Sequence, residues 1–103
     1  MPNSELSLDA VPAPAPGVVG RLVQEEAVLV LTAQNRVEVL NAVGARIWSL
    51  VDGSRSIRGI AAQLPTEYQV EPAEAEQDTL ELVTALVERG ALVLLPAPAA
   101  PQE

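Results

Sequence analysis

Cysteine, histidine and phenylalanine are absent from this 103-residue chain, and tryptophan and tyrosine occur once each. Without cysteine there is neither a disulfide framework nor a thiolate metal site, and without histidine the commonest general base and metal ligand is missing. Most familiar catalytic constellations are excluded together. Lysine is absent as well: all six basic residues are arginine, against fourteen acids, for a net charge of −8. Such an excess repels a polyanion such as DNA at long range. No uninterrupted apolar run exceeds that of Ala27 to Leu31, far short of a membrane span. The opening MPNSELSLDA lacks the positive and apolar regions of a secretory signal, so a cytoplasmic location is expected.

What is present is enough apolar residue, 49%, for one modest core in a single domain. Seven of the nine prolines lie outside the centre: Pro2, Pro12, Pro14 and Pro16 before it, Pro96, Pro98 and Pro101 after it. Alternating Pro and Ala favours extended polyproline-like chain without a core. Residues 1–16 and 96–103 are therefore read as disordered tails around a domain spanning residues 17–95.

Within that domain Val18 to Val23 and Ala27 to Leu31 are rich in aliphatic and β-branched residues, separated by Gln24, Glu25 and Glu26, which is a hairpin pattern. Arg36 to Leu40 alternates, with Val37 and Val39 on one face and Arg36 and Glu38 on the other. Asn41 can then cap a helix from Ala42 to about Val51 that Asp52-Gly53 ends. Ser56 can cap a second helix, which Pro65 stops at Leu64 or kinks. Pro72 suits the first turn of a third helix running to about Arg89, with Gly90 as its C-terminal cap. Ala91 to Leu95 is a short terminal strand or extended segment. The expected fold is α+β and winged helix-turn-helix-like: a three-stranded antiparallel sheet followed by three helices.

Few signals carry chemistry. Glu71, Glu74, Glu76, Asp78, Glu81 and Glu88 crowd the third helix, but they fall on its solvent face, where nothing apolar raises a carboxylate pKa toward neutrality. No Asp-rich loop offers a metal cage, and the scattered glycines form no phosphate-cradling loop. No catalytic, metal or cofactor site is expected. Trp48 reads as core, and with Tyr68 as the only other aromatic residue no stacking platform for single-stranded nucleic acid exists. Between Gly17 and Val70 five arginines balance five acids, whereas Glu71 to Gly90 holds six acids against Arg89 alone. A DNA-recognition helix should be basic or neutral; this third helix is the reverse, and it suits a peptide carrying basic or polar residues.

Val37-Glu38-Val39-Leu40-Asn41, Gly44, Ile47-Trp48, Leu50, Asp52-Gly53, Ile57 and Ile60-Ala61, followed by Asp78, Leu82-Val83, Leu86 and Glu88-Arg89-Gly90-Ala91-Leu92, resemble the PqqD family in order and separation over about Val18 to Leu92. Gly59, Pro65 and the Pro/Ala tails depart from its pattern. The resemblance implies a non-enzymatic recognition element for ribosomally made, post-translationally modified peptides. Such a domain binds a precursor's leader and presents its core to a modifying enzyme, in the namesake pathway a radical S-adenosylmethionine protein making pyrroloquinoline quinone. The residues agree: a three-stranded sheet leaves an edge, and the short strand Arg36, Val37, Glu38, Val39, Leu40 is able to accept one more. Asp78, Thr79, Leu82 and Ala85 of the third helix are the expected sources of selectivity, Leu82 being equally readable as core. The alternatives from other classes are a winged-helix DNA-binding regulator, suggested by the helix-turn-helix order, and a structural subunit of a larger complex.

Overall fold

The computed structural model describes residues 7–95. A short strand β1 (Val11–Pro14) precedes a meander of β2 (Val18–Val23), β3 (Glu26–Leu31) and β4 (Arg36–Leu40). Helices α1 (Ala42–Leu50), α2 (Ile57–Ala61) and α3 (Pro72–Glu88) follow, and β5 (Leu92–Leu95) closes the described chain. The meander pairs antiparallel in the order β2-β3-β4, while β1 and β5 form a separate antiparallel pair. The expected α+β arrangement is present, with a three-stranded antiparallel meander followed by three helices, and β1 and β5 are added to it.

The core forms because β3 alternates. Ala27, Leu29 and Leu31 are buried on its helix side, where α1 packs, and together with Ile47, Ile57, Ile60, Leu64, Val83, Leu86 and Leu92 they make one continuous cluster. Each leucine, isoleucine or valine among them contributes about 1.5–3 kcal/mol on leaving water. Trp48, expected in the core, is half-buried and packs against this cluster from its edge, and a Cβ at Gly20 would lie 2.5 Å from its Nε1. Glycine at that point of β2 is what lets the indole lie across the strand.

The helix boundaries have local causes. Asn41 Oδ1 accepts from Gly44 N at 2.9 Å and Ser56 Oγ from Gly59 N at 3.0 Å, satisfying first-turn donors of α1 and α2. α2 is shorter than the span to Leu64: it ends at Ala61, and Leu64–Thr66 forms a separate turn of 3₁₀-helix with Pro65 inside it. α3 starts at Pro72 and stops where Gly90 takes a φ of +85°, a conformation that costs glycine least.

One boundary differs from the composition-based reading. Val11–Pro14, assigned there to a disordered tail, is a strand paired with β5, and both Val11 and Pro12 are buried. Ala15 N donates to Ala91 O at 3.0 Å, so by the two-residue period of an antiparallel pair Val11 and Ala13 also face the ladder. Pro12 and Pro14 then fall at the positions whose nitrogens point away, where a missing N–H costs nothing. Upstream, Ile57 N and Arg58 N donate to the carbonyls of Ala10 and Leu8 at 2.9 and 2.8 Å, so this segment also satisfies the free donors of α2. The C-terminal tail, residues 96–103, lies outside the described residues, as do residues 1–6. A chain beginning at Pro16 loses this burial and capping. Its melting temperature, followed by circular dichroism, should fall by about 10–20 °C, the equivalent of about 2–4 kcal/mol in a domain of this size. An unchanged value would return Val11–Pro14 to the tail.

Candidate functional site: an open strand edge beside the third helix

Among the described residues β4 pairs with β3 on one side only, and the register shows which backbone groups its other side offers. Val23 and Glu26 flank a two-residue turn, and Thr32 N donates to Gly17 O at 3.3 Å. Positions 17, 19, 21 and 23 of β2 are therefore the hydrogen-bonded ones, and Glu26, Val28 and Val30 direct their backbone groups to β2. Ala27, Leu29 and Leu31 consequently bond to Leu40, Glu38 and Arg36, with which they are in register. Val37 and Val39 are left with N–H and C=O groups aimed at the open edge.

Side chains follow the same alternation. Val37 and Val39 stand on the outer face at 60% and 61% exposure, while Glu38 turns inward beside Leu29. There it accepts from Arg89 Nη1 at 3.2 Å and from Arg36 Nη2 at 3.3 Å. The Arg89 pair joins the end of α3 to the edge strand. An apolar outer face with a charge on the inner face inverts the usual pattern, and it is tolerated because the inner side of β4 at Glu38 meets arginine rather than the core.

Past Leu40, where β4 ends, a cleft of about 480 Å³ lies between α1 and α3. Its walls are Asn41, Val43, Gly44 and Ile47 on one side, Asp78, Glu81, Leu82 and Ala85 on the other, with Val70 between. Of the four α3 residues expected from the sequence, Asp78, Leu82 and Ala85 are brought together here. Thr79 is not: it is fully buried, its Oγ1 without a hydrogen-bond partner among the described residues. One residue on from Asp78 is a rotation of about 100°, which carries Thr79 from the groove into the core. The α1 wall and Val70 were not anticipated. Gly44 was the available signal, since a Cβ there would sit 3.2 Å from Leu40 Cβ and 3.6 Å from Leu82 Cδ2.

The connection that carries Val70 is tied to α1 at Glu67 by a fork of hydrogen bonds. Arg46 Nε and Nη2 donate to Glu67 Oε1 and Oε2, each at 2.8 Å, pinning the connection before α3 to α1. The bonds from Arg46 hold the Glu67 carboxyl below its ordinary value, and those to Glu67 raise the guanidinium further. Asp52 is likewise lowered, chiefly by the backbone N–H of Ser54 and its hydroxyl. No group of three or more potential metal ligands occurs among the described residues, and no described helix is long and apolar enough to cross a membrane.

A winged-helix-like α+β domain of this kind, with a strand edge unpaired among the described residues, belongs to the class of small domains built to bind rather than to a known catalytic architecture. Within that class the chain belongs to the PqqD family, whose model, described as coenzyme PQQ synthesis protein D, matches residues 26–92. A relative called PqqA binding protein, from Xanthomonas campestris pv. campestris strain B100, is 36% identical over 88% of this chain and 99% of its own length. The protein of the same name from Xanthomonas oryzae pv. oryzae strain PXO99A is 31% identical with the same coverage. Among solved structures, TbiB1 in complex with the TbiA(beta) leader peptide matches with a TM-score of 0.72 at 29% identity, over 78% of this chain and 93% of that one. The solution structure of the PqqD truncation of Methylobacterium extorquens PqqCD, a stand-alone recognition element, matches with a TM-score of 0.68 at 28% identity, over 81% and 88%.

Two outcomes check this geometry. Thr79→Val removes a buried, unpartnered hydroxyl without changing shape, so it should raise the melting temperature, by about 4–8 °C for each kcal/mol gained, and leave peptide affinity unchanged. For Glu67, a lowered folded pKa means a contribution present above the unfolded carboxyl value and lost as pH falls through the folded one. The melting-temperature gap between the wild type and Glu67→Gln should accordingly be full near neutrality, begin to shrink as pH falls through the ordinary glutamate value of 4.5, and vanish only below the lower folded value.

Proposed function

We propose that this protein is a non-catalytic peptide carrier: it binds the leader of a ribosomally synthesised precursor of the PqqA kind and presents the adjoining core to a modifying enzyme, such as a radical S-adenosylmethionine protein, in the cytoplasm. The observation that carries this reading is the free edge at Val37 and Val39 beside a cleft lined by Leu82 and Ala85. The names of the relatives and the leader-bound neighbour support it. An extended leader segment of about five residues adds to β4, its backbone bonding to Val37 and Val39, and its inward side chains enter the groove before α3. The site residues are then Arg36 to Leu40 with Asp78, Leu82 and Ala85. Backbone bonds give general affinity and the cleft gives selectivity. Because the leader must order on binding, affinity is modest.

The DNA-binding reading finds no support in the charge: α3 carries Glu74, Glu76, Asp78, Glu81 and Glu88 and no basic residue within its span, so phosphate contacts are opposed. A titration of the isotope-labelled protein with a PqqA-type leader should move resonances of residues 36–40 and 78–85. Val39→Pro removes an outward donor while sparing the ladder to β3, so with the fold verified it should weaken binding about three- to tenfold, the worth of about one hydrogen bond. Glu88→Ala, at an exposed position, is the neutral control. Shifts confined to 56–64, or an unaffected Val39→Pro, would refute strand addition.

A further inference from the structure

We propose that the groove reads the order of charges along its guest: it selects a leader segment in which a basic residue precedes an acidic one by about four residues, around an apolar anchor. This rests on the strand-addition reading above and goes beyond it in naming what the guest must carry.

The two ends of the groove are oppositely charged. At the Leu40 end, Asp78 and Glu81 form the rim of the apolar cleft, and neither makes an ion pair among the described residues. At the other end Arg36 and Arg89 both bind the single carboxylate of Glu38, while Glu88, exposed beside Arg89, makes no ion pair among the described residues, so the groups that gather at the strand there are two guanidiniums around one carboxylate. From Asp78 to Arg89 the helix rises about 16 Å, and from Arg36 to Leu40 the strand spans about 13 Å. A guest strand of about five residues therefore reaches from one charge to the other.

The sheet converts this gradient into a sequence order. Guest residues opposite Val37 and Val39 are the hydrogen-bonded ones and stand on the outer face, whereas those opposite Leu40, Glu38 and Arg36 point toward α3. Antiparallel addition is the more stable geometry, and it sets the guest's N-terminal end beside Leu40 and the cleft, its C-terminal end beside Arg36 and Arg89. A basic side chain at the first end faces Asp78 and Glu81 at the rim of the cleft, and the apolar side chain between the two charges, opposite Glu38, points toward α3. An acidic side chain at the second end shares Arg36 and Arg89 with Glu38. Because these groups are largely exposed, the effect is a preference for charge order, screened by salt, with backbone pairing still required.

The test is a selection of random peptides of about twelve residues on the full chain, followed by titration of the enriched peptides by NMR. Enriched peptides that move residues 36–40 should carry Lys or Arg ahead of Asp or Glu. Exchanging those two charges in one such peptide should weaken it about fivefold at about 20 mM salt and by less than about twofold at 0.5 M. Asp78→Lys with Glu81→Lys should abolish the demand for the leading basic residue only, and Arg36→Glu with Arg89→Glu the demand for the trailing acid only, both variants remaining folded by circular dichroism. Groove-binding peptides with no charge order, or with the acid first, overturn this inference and leave strand addition standing. Enriched peptides that shift residues elsewhere, or no enrichment at all, overturn strand addition and the charge order with it.

Discussion

The organisation of this domain depends on a coupling within the antiparallel sheet: side-chain direction and hydrogen-bond direction both alternate every residue, so they are locked to one another. Because Ala27, Leu29 and Leu31 must face the helices to make the core, the same residues bond to Arg36, Glu38 and Leu40 across the β3–β4 ladder. Val37 and Val39 are then the residues with free edge groups, whatever their side chains. A guest bonded to them necessarily turns its intervening side chains toward α3. A slip of one residue in β4 would bury the valines, expose Leu40 and present a different set of donors.

Electrostatics then decides what such an edge is suited to. The acids of α3 are its solvent face, and at Asp78 and Glu81 that face becomes the rim of an apolar cleft. Glu38, drawn inward by the pleat, is satisfied by Arg36 and Arg89, which ties the edge strand to the end of α3. Polyanions are opposed by this arrangement, and a short extended peptide is not. The Arg46–Glu67 fork acts one layer behind: it holds the connection that brings Val70 to the cleft. Membership of the PqqD family and the leader-bound structural neighbour agree with a site of this build.

Several features were legible in the sequence because their causes are local. The switch of periodicity at Asn41, the capping side chains of Asn41 and Ser56, Pro72 at the start of α3 and Gly90 at its end act within a few residues of where they stand. The exclusion of most catalytic chemistry follows from composition alone. The edge strand and the cleft residues Asp78, Leu82 and Ala85 were also readable, because strand order and helical spacing constrain them. Thr79 was not: separating groove from core along α3 needs the rotation of the helix, and that is set by what Ala75, Val83 and Leu86 pack against.

By itself, then, the sequence determined the element types, most of their limits, the charge asymmetry and the family, all properties of near neighbours in the chain or of its composition. Tertiary structure alone decided the rest. The Pro/Ala alternation of Val11–Pro14 is compatible with both a polyproline segment and a strand, and only pairing with Leu92–Leu95, about eighty residues away, selects the strand. The inward turn of Glu38, the meeting of Gly44 with Leu82, and the placing of Val70 likewise join residues remote in sequence. Their positions depend on the minimum of the whole packed domain, which no local preference encodes.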